Sequence, residues 1–250
     1  EASAFGIIDA GKDRVIDRFL EKPKDPPGLP DAPDMSFASM GNYIFSRKEF
    51  VERLNADGQA KDSKHDMGGD IIPSFVDSHD CSVYDFTSND VPGSTELDRN
   101  YWRDVGTIDA FFDAHMDLIS VVPEFNLYNT QWPILTRQTQ LPGAKFTLHG
   151  TAESSIVTNG CIISGGDVDH SVLSPGVRIE NHSVVDGCVV MNNSRVGQNC
   201  TLHNVILDKN VVVPDGVQIG VDHEADEARG FTVSDNGITV VPKNVEVTPV

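Results

Sequence analysis

Apolar residues recur at three- and four-residue intervals through Ile108, Phe111, Phe112, Leu118 and Ile119, which predicts an amphipathic helix with one buried face. Upstream the pattern is mixed. Phe5 to Asp9 and Arg14 to Leu20 read as strands joined by Ala-Gly-Lys-Asp, a hairpin-like connection, and a Pro-rich loop follows over 23–33. Met40 to Phe45 predicts another strand. Ser46 then offers a capping hydroxyl and Glu49 completes a capping box, ahead of an apolar face of Phe50, Val51 and Leu54. A helix is expected over 66–76, a strand over 82–86 and a polar loop over 89–98.

Beyond residue 150 the period shortens. Val184, Val190, Val196 and Leu202 lie six apart, with Cys188, Ser194 and Cys200 as small residues at the fifth place of successive hexads. Ile156, Ile162 and Val168 extend the run upstream and Val211 and Val217 downstream, with register shifts between. That repeat predicts a parallel β-helix in which each three-faced coil turns an aliphatic residue inward at every sixth position. Residues 121–150, with Pro123, Pro133, Pro142 and Gly143, read as a linker. The expected organisation is therefore α/β over 1–120, a linker over 121–150 and a β-helix over 151–250.

Composition narrows the partners. The formal charge of −19 argues against broad contact with nucleic acid or anionic membrane, since both require basic surface. It leaves phosphorylated small molecules open, because one or two cations in a cleft suffice for them. No apolar run approaches the roughly 20 residues needed to span a bilayer, and the first residues lack the pattern of a secretory signal. A cytoplasmic location is expected. The four cysteines, at 81, 161, 188 and 200, have no Cys-x-x-Cys spacing, so they are expected to be reduced and structural.

Candidate chemistry centres on Tyr-Trp-Arg-Asp-Val-Gly-Thr at 101–107. It places Asp104 on a short loop at the head of the predicted helix, where a carboxylate can hold a divalent metal, with Arg103 as its expected partner. An isolated Arg-Asp pair is, however, ordinarily a solvated ion pair. Asp66 and Asp70 are paired acids at helical spacing, for which capping outweighs a second metal site. His170, His182 and His203 share no hexad position, which favours turn surfaces over the general base of an acyltransferase.

Phe-Leu-Glu-Lys-Pro at 19–23 and Ser-Met-Gly-Asn-Tyr-Ile-Phe at 39–45 are similar to sugar-phosphate motifs of several nucleotidyltransferase families. His-Asp-Met-Gly-Gly-Asp-Ile-Ile-Pro at 65–73, the 101–107 heptapeptide, Trp-Pro-Ile-Leu-Thr at 132–136 and Leu-Pro-Gly-Ala-Lys-Phe at 141–146 narrow the resemblance to the bacterial ADP-glucose pyrophosphorylases (glucose-1-phosphate adenylyltransferases). That resemblance implies part of a Rossmann-like nucleotidyltransferase domain followed by a left-handed parallel β-helix. The implied reaction converts ATP and glucose 1-phosphate to ADP-glucose and pyrophosphate, in glycogen biosynthesis. Lys22 would hold the sugar phosphate as a catalytic cation, Glu21 would accept from glucose hydroxyls, and Ser39 and the bare backbone at Gly6 would complete the sugar-phosphate site. Asp104 would bind Mg2+ together with a carboxylate outside this chain. The family also implies a homotetramer regulated by a sugar-phosphate or glycolytic effector, for which Arg137 and Lys145 are candidate contacts.

The chain departs from the pattern in lacking the Gly-rich loop and Arg-Leu segment that cradle the ATP phosphates. It is therefore expected to be a fragment, roughly three-fifths of the family's usual length, unable to catalyse the full reaction alone. Two alternatives stand beside this reading: a non-catalytic regulatory or assembly subunit of the same fold, and a hexapeptide-repeat acyltransferase.

Overall fold

In the computed structural model, which describes residues 2–29, 32–78, 80–137 and 139–248, the Ala-Gly-Lys-Asp turn joins two antiparallel strands. These are β1 (Gly6–Ala10) and β2 (Ile16–Glu21), paired from Gly6↔Glu21 to Ala10↔Ile16 with a bulge at Asp9/Ala10. A short third strand, β3 (Phe37–Ala38), pairs with the other edge of β1, giving the order β2-β1-β3. Helix α1 (Arg47–Asp57) follows, and a π-helical turn over Met67–Ile71 leads into helix α2 (Ile72–Val76). Ala10, Ile16, Ile72, Val76 and Val83 form the core between sheet and helices, with Phe19, Phe37 and Phe45 packed against it. These elements make up the first of two compact units, Glu1–Ser88.

Three local expectations fail here. Residues 40–45 form no strand, because after Ser39 the chain bends away at Gly41, whose φ of 71° breaks the ladder, and Tyr43 and Ile44 are exposed. Residues 82–86 make only one isolated bridge, Val15↔Ser82. Ser46 does occupy the N-cap of α1, but its hydroxyl makes no capping bond. The ring of Phe45 instead stacks on Phe50, with centroids 4.4 Å apart, so an apolar contact marks the helix entrance.

The second unit, Asn89–Val250, contains helix α3 (Ile108–Leu118) and the predicted solenoid. Thr107 caps α3 by accepting the Ala110 N–H at 3.1 Å. Its apolar face, centred on Phe112 with Ile108, Phe111 and Met116, packs on Val189, Ile206 and Ile238 of the solenoid. The solenoid strands stack in register into three sheets, of five, five and six strands. All pairs are parallel except Thr232–Val233 on Thr239–Val241. Its ladder starts at Lys145–Thr147, inside the segment read as a linker, and pairs there with Ile162–Ser164. The short helix α4 (His223–Ala228) lies near its other end.

The coil length explains the register shifts. Equivalent residues on adjacent coils are commonly 17 positions apart, as in Cys188 N–H to Ser171 Oγ and Cys200 N–H to Ser183 Oγ, both 2.9 Å. Three hexads would need one residue more. A 17-residue coil is therefore one residue short at a corner, and the early coil in which Ile162 pairs with Arg178 and Ile156 with Val172 is two short, so strict six-residue counting slips. Val190, Val196 and Leu202 do point inward, but Val184 faces solvent and Val185 takes the buried place. The small residues form internal columns, one of them Ser171, Cys188 and Val205, another Ser183, Cys200 and Val217. Each buried serine hydroxyl in these columns accepts from the coil above and donates to a backbone carbonyl, so no buried oxygen is left unpaired. All four cysteines are free thiols, and burial pushes the Cys188 thiol up to about 12.

Candidate functional site

At one end of the first unit's sheet, four of the sequence-predicted residues meet around the Phe5–Gly6 backbone. The Gly6 carbonyl accepts the Ser39 N–H at 2.7 Å, Gly6 pairs with Glu21 across the hairpin, and the Phe5 carbonyl accepts the Lys22 N–H at 3.2 Å. The strand ends thus deliver a carboxylate, an ammonium and a hydroxyl to the same end of the sheet. Lys22 turns off β2 in a left-handed conformation, with φ of 46°, which projects its side chain outward ahead of Pro23. Its Nζ stands 3.9 Å from Glu21 Oε1, beyond hydrogen-bond length, so the ammonium keeps its donors for another acceptor.

Two residues that sequence reasoning missed complete this end of the sheet. Tyr43 OH lies 2.7 Å from Ser39 Oγ, which also accepts the Gly41 N–H at 3.2 Å, so the serine hydroxyl is held from two sides. Gly68, in the π-helical turn, lies against the Glu21 carboxylate. Both sit within motifs already singled out, and that membership is the one signal that could have found them. The arrangement suits a small phosphorylated polyol: a point charge for the phosphate, and a carboxylate and a hydroxyl for the hydroxyl groups.

Asp66 and Asp70 are committed to backbone donors. Asp66 Oδ1 accepts the Gly69 N–H at 2.6 Å, and Asp70 Oδ2 accepts the N–H groups of Asp66 at 3.0 Å and Lys64 at 3.2 Å. They cap the turn that carries Gly68, as the spacing favoured. Nearby, hydrogen bonds from Ser63 and His65 hold the Asp57 carboxyl below its usual range.

Asp104 lies in the second unit, exposed, two residues before Gly106, whose N–H it accepts at 3.0 Å. Arg103 is not its partner. The guanidinium pairs with Glu124 at 2.7 Å and lies over the Tyr101 ring at 5.8 Å, because adjacent side chains on extended backbone diverge while the chain returns at Glu124. Asp104 therefore retains one whole oxygen and no cationic neighbour among the described residues. That donor fits Mg2+, which takes one or two protein carboxylates and fills its shell with phosphate and water.

The solenoid histidines lie on the surface. His170 and His182 occupy corner positions, with φ of 41° and 60°, and His203 ends a strand. His170 lies beside Asp169 and His203 beside Asp186, in exposed pairs at 2.9 Å and 3.1 Å. Arg137 and Lys145 are both exposed, Lys145 in the first solenoid strand. Among the described residues, no helix is long and apolar enough to cross a membrane.

Two protein families match separate stretches of the chain. The nucleotidyl transferase family matches residues 1–121, and the GlmU-like C-terminal hexapeptide family matches residues 142–241. The chain is 62% identical to a glucose-1-phosphate adenylyltransferase of Cutibacterium acnes over 99% of its own length and 60% of the relative's. It is 54% identical to that of Corynebacterium jeikeium over 99% of this chain and 61% of the relative, and 56% identical to that of Corynebacterium diphtheriae over 99% and 58%. The chain thus spans about 60% of the length of the curated relatives it matches.

Proposed function

We propose, from the premise that this chain belongs to the glucose-1-phosphate adenylyltransferase family, that it carries the glucose 1-phosphate site of an enzyme joining that sugar phosphate to ATP. The products are ADP-glucose and pyrophosphate, and the setting is cytoplasmic glycogen synthesis. The observation that carries the proposal is the convergence of Glu21 and Ser39 on Gly6 and of Lys22 on the adjoining Phe5. A phosphate oxygen of glucose 1-phosphate attacks the α-phosphorus of ATP, and pyrophosphate leaves. No covalent enzyme intermediate is needed, so the protein's work is positioning and neutralising charge.

Lys22 neutralises the sugar phosphate while its flexible stem follows the group as it moves. Glu21 accepts from glucose hydroxyls and Ser39, oriented by Tyr43, donates to the sugar or its phosphate. Asp104 is the residue that would hold Mg2+, which when bound supplies charge stabilisation for the phosphates. Assembly into a homotetramer and control by an anionic sugar-phosphate or glycolytic effector, with Arg137 and Lys145 as contacts, belong to the same proposal.

The test is a chimera in which this chain replaces its counterpart in the Cutibacterium acnes relative. With Mg2+ and glucose 1-phosphate, the folded chimera should release pyrophosphate from ATP. Release from UTP but not ATP, or none from either, contradicts the proposal.

A further inference from the structure

Gly68 sits where a helix gains nothing from glycine. It lies in the Met67–Ile71 turn, and its φ is not in the left-handed region where glycine is favoured. Alanine can adopt the same backbone and favours helical conformation over glycine. The local backbone therefore gives no reason for the bare position, and the reason must lie in what faces it.

What faces it is Glu21. A methyl group at Gly68 would stand 2.7 Å from Glu21 Oε2 and 3.3 Å from its Cδ, closer than carbon and oxygen can approach. A methyl group at Gly6 would likewise stand 3.2 Å from the same Oε2. The carboxylate thus occupies a slot between two residues that lack a Cβ, one on β1 and one at the helical turn. The two walls differ in what else they touch. A methyl at Gly6 would also meet Phe19 Cζ at 2.5 Å, and Phe19 packs against the core. At Gly68 the nearest atoms are the end of the flexible Glu21 side chain and, at an ordinary contact distance of 3.6 Å, Asp66 Oδ1.

We infer that Gly68 is a positioning residue for sugar recognition: its missing Cβ holds open the place where the Glu21 carboxylate must sit to receive the sugar hydroxyls. The inference rests on the proposed glucose 1-phosphate site and deepens it. It separates binding from stability, because Glu21 is the flexible partner. A methyl group at Gly68 displaces the carboxylate and leaves the core untouched, whereas one at Gly6 strains the core.

Calorimetric titration of glucose 1-phosphate into the protein, its Gly68→Ala variant, its Glu21→Asp variant and the double variant tests this. Gly68→Ala should bind about tenfold more weakly, the scale of one charge-assisted hydrogen bond lost, with a melting temperature equal to or above that of the unaltered protein. In the Glu21→Asp background the same methyl should cost clearly less, since the shorter acid no longer reaches Gly68. Unchanged affinity in Gly68→Ala, or equal losses in both backgrounds, overturns the role of Gly68 while leaving the sugar-phosphate site standing. Absence of glucose 1-phosphate binding by the unaltered protein overturns the site itself and this inference with it.

Discussion

Asp57 shows how one side chain ties a loop to a helix and makes stability depend on pH. Ser63 and His65 both reach back to its carboxylate at the end of α1, by 2.5 Å and 2.7 Å. Those bonds favour the ionised form, so the folded-state pKa lies below the unfolded one. A depressed carboxyl contributes stability that is present above its unfolded pKa, about 4, and is lost as pH falls through the folded value. Asp57→Asn should accordingly shift the urea midpoint at neutral pH more than at pH near 3. Equal shifts at both would remove the carboxylate from the account. At this scale the sequence is legible where a residue's partner is its own backbone, as with Asp66 and Asp70. It is not where the partner is distant: Arg103 stands beside Asp104 in sequence, yet Glu124 holds it, 21 positions on. Gly68 was hidden for the same reason, because its significance lies in a carboxylate from another element.

Among elements, the solenoid was the most legible, since stacking repeats the same demand on every coil and the aliphatic spacing records it. The one-residue corner was not legible, because spacing of six and five both keep an aliphatic residue inward and valines fill both sides of the strand. Val184 and Val185 separate the two possibilities. Val185 is fully buried and Val184 is 45% exposed. Val185→Ala should cost about 2 kcal/mol through two lost methyl groups and the cavity they leave, while Val184→Ala should change stability by less than about 0.5 kcal/mol. Thermal or urea unfolding of the two variants checks the register, and the reverse order would contradict it. In the first unit the hairpin was readable from turn chemistry, but residues 40–45 were not. Their alternation satisfies the pattern of a strand, while pairing depends on a neighbour that the bend at Gly41 takes away.

For the whole molecule, net charge and local chemistry point in opposite directions and both are needed. A charge of −19 leaves little basis for binding large polyanions, yet Lys22 at the end of one strand provides a local cation for a single phosphate. Motif order carries the resemblance to glucose-1-phosphate adenylyltransferases, and the fold accounts for part of it by bringing Gly6, Glu21, Lys22 and Ser39 to one end of the sheet. The contribution of Asp104 belongs to the second unit and could be read only as a loop carboxylate with a free oxygen. The central claim is that this end of the sheet binds glucose 1-phosphate through Lys22. The most direct measurement is the affinity of the protein and of Lys22→Ala for glucose 1-phosphate, with melting temperature as the control. The side chain of Lys22 is largely exposed, so the variant should melt as the unaltered protein does while binding at least tenfold more weakly, the loss of a charged contact. Equal affinity in the two proteins, at equal stability, would contradict the claim.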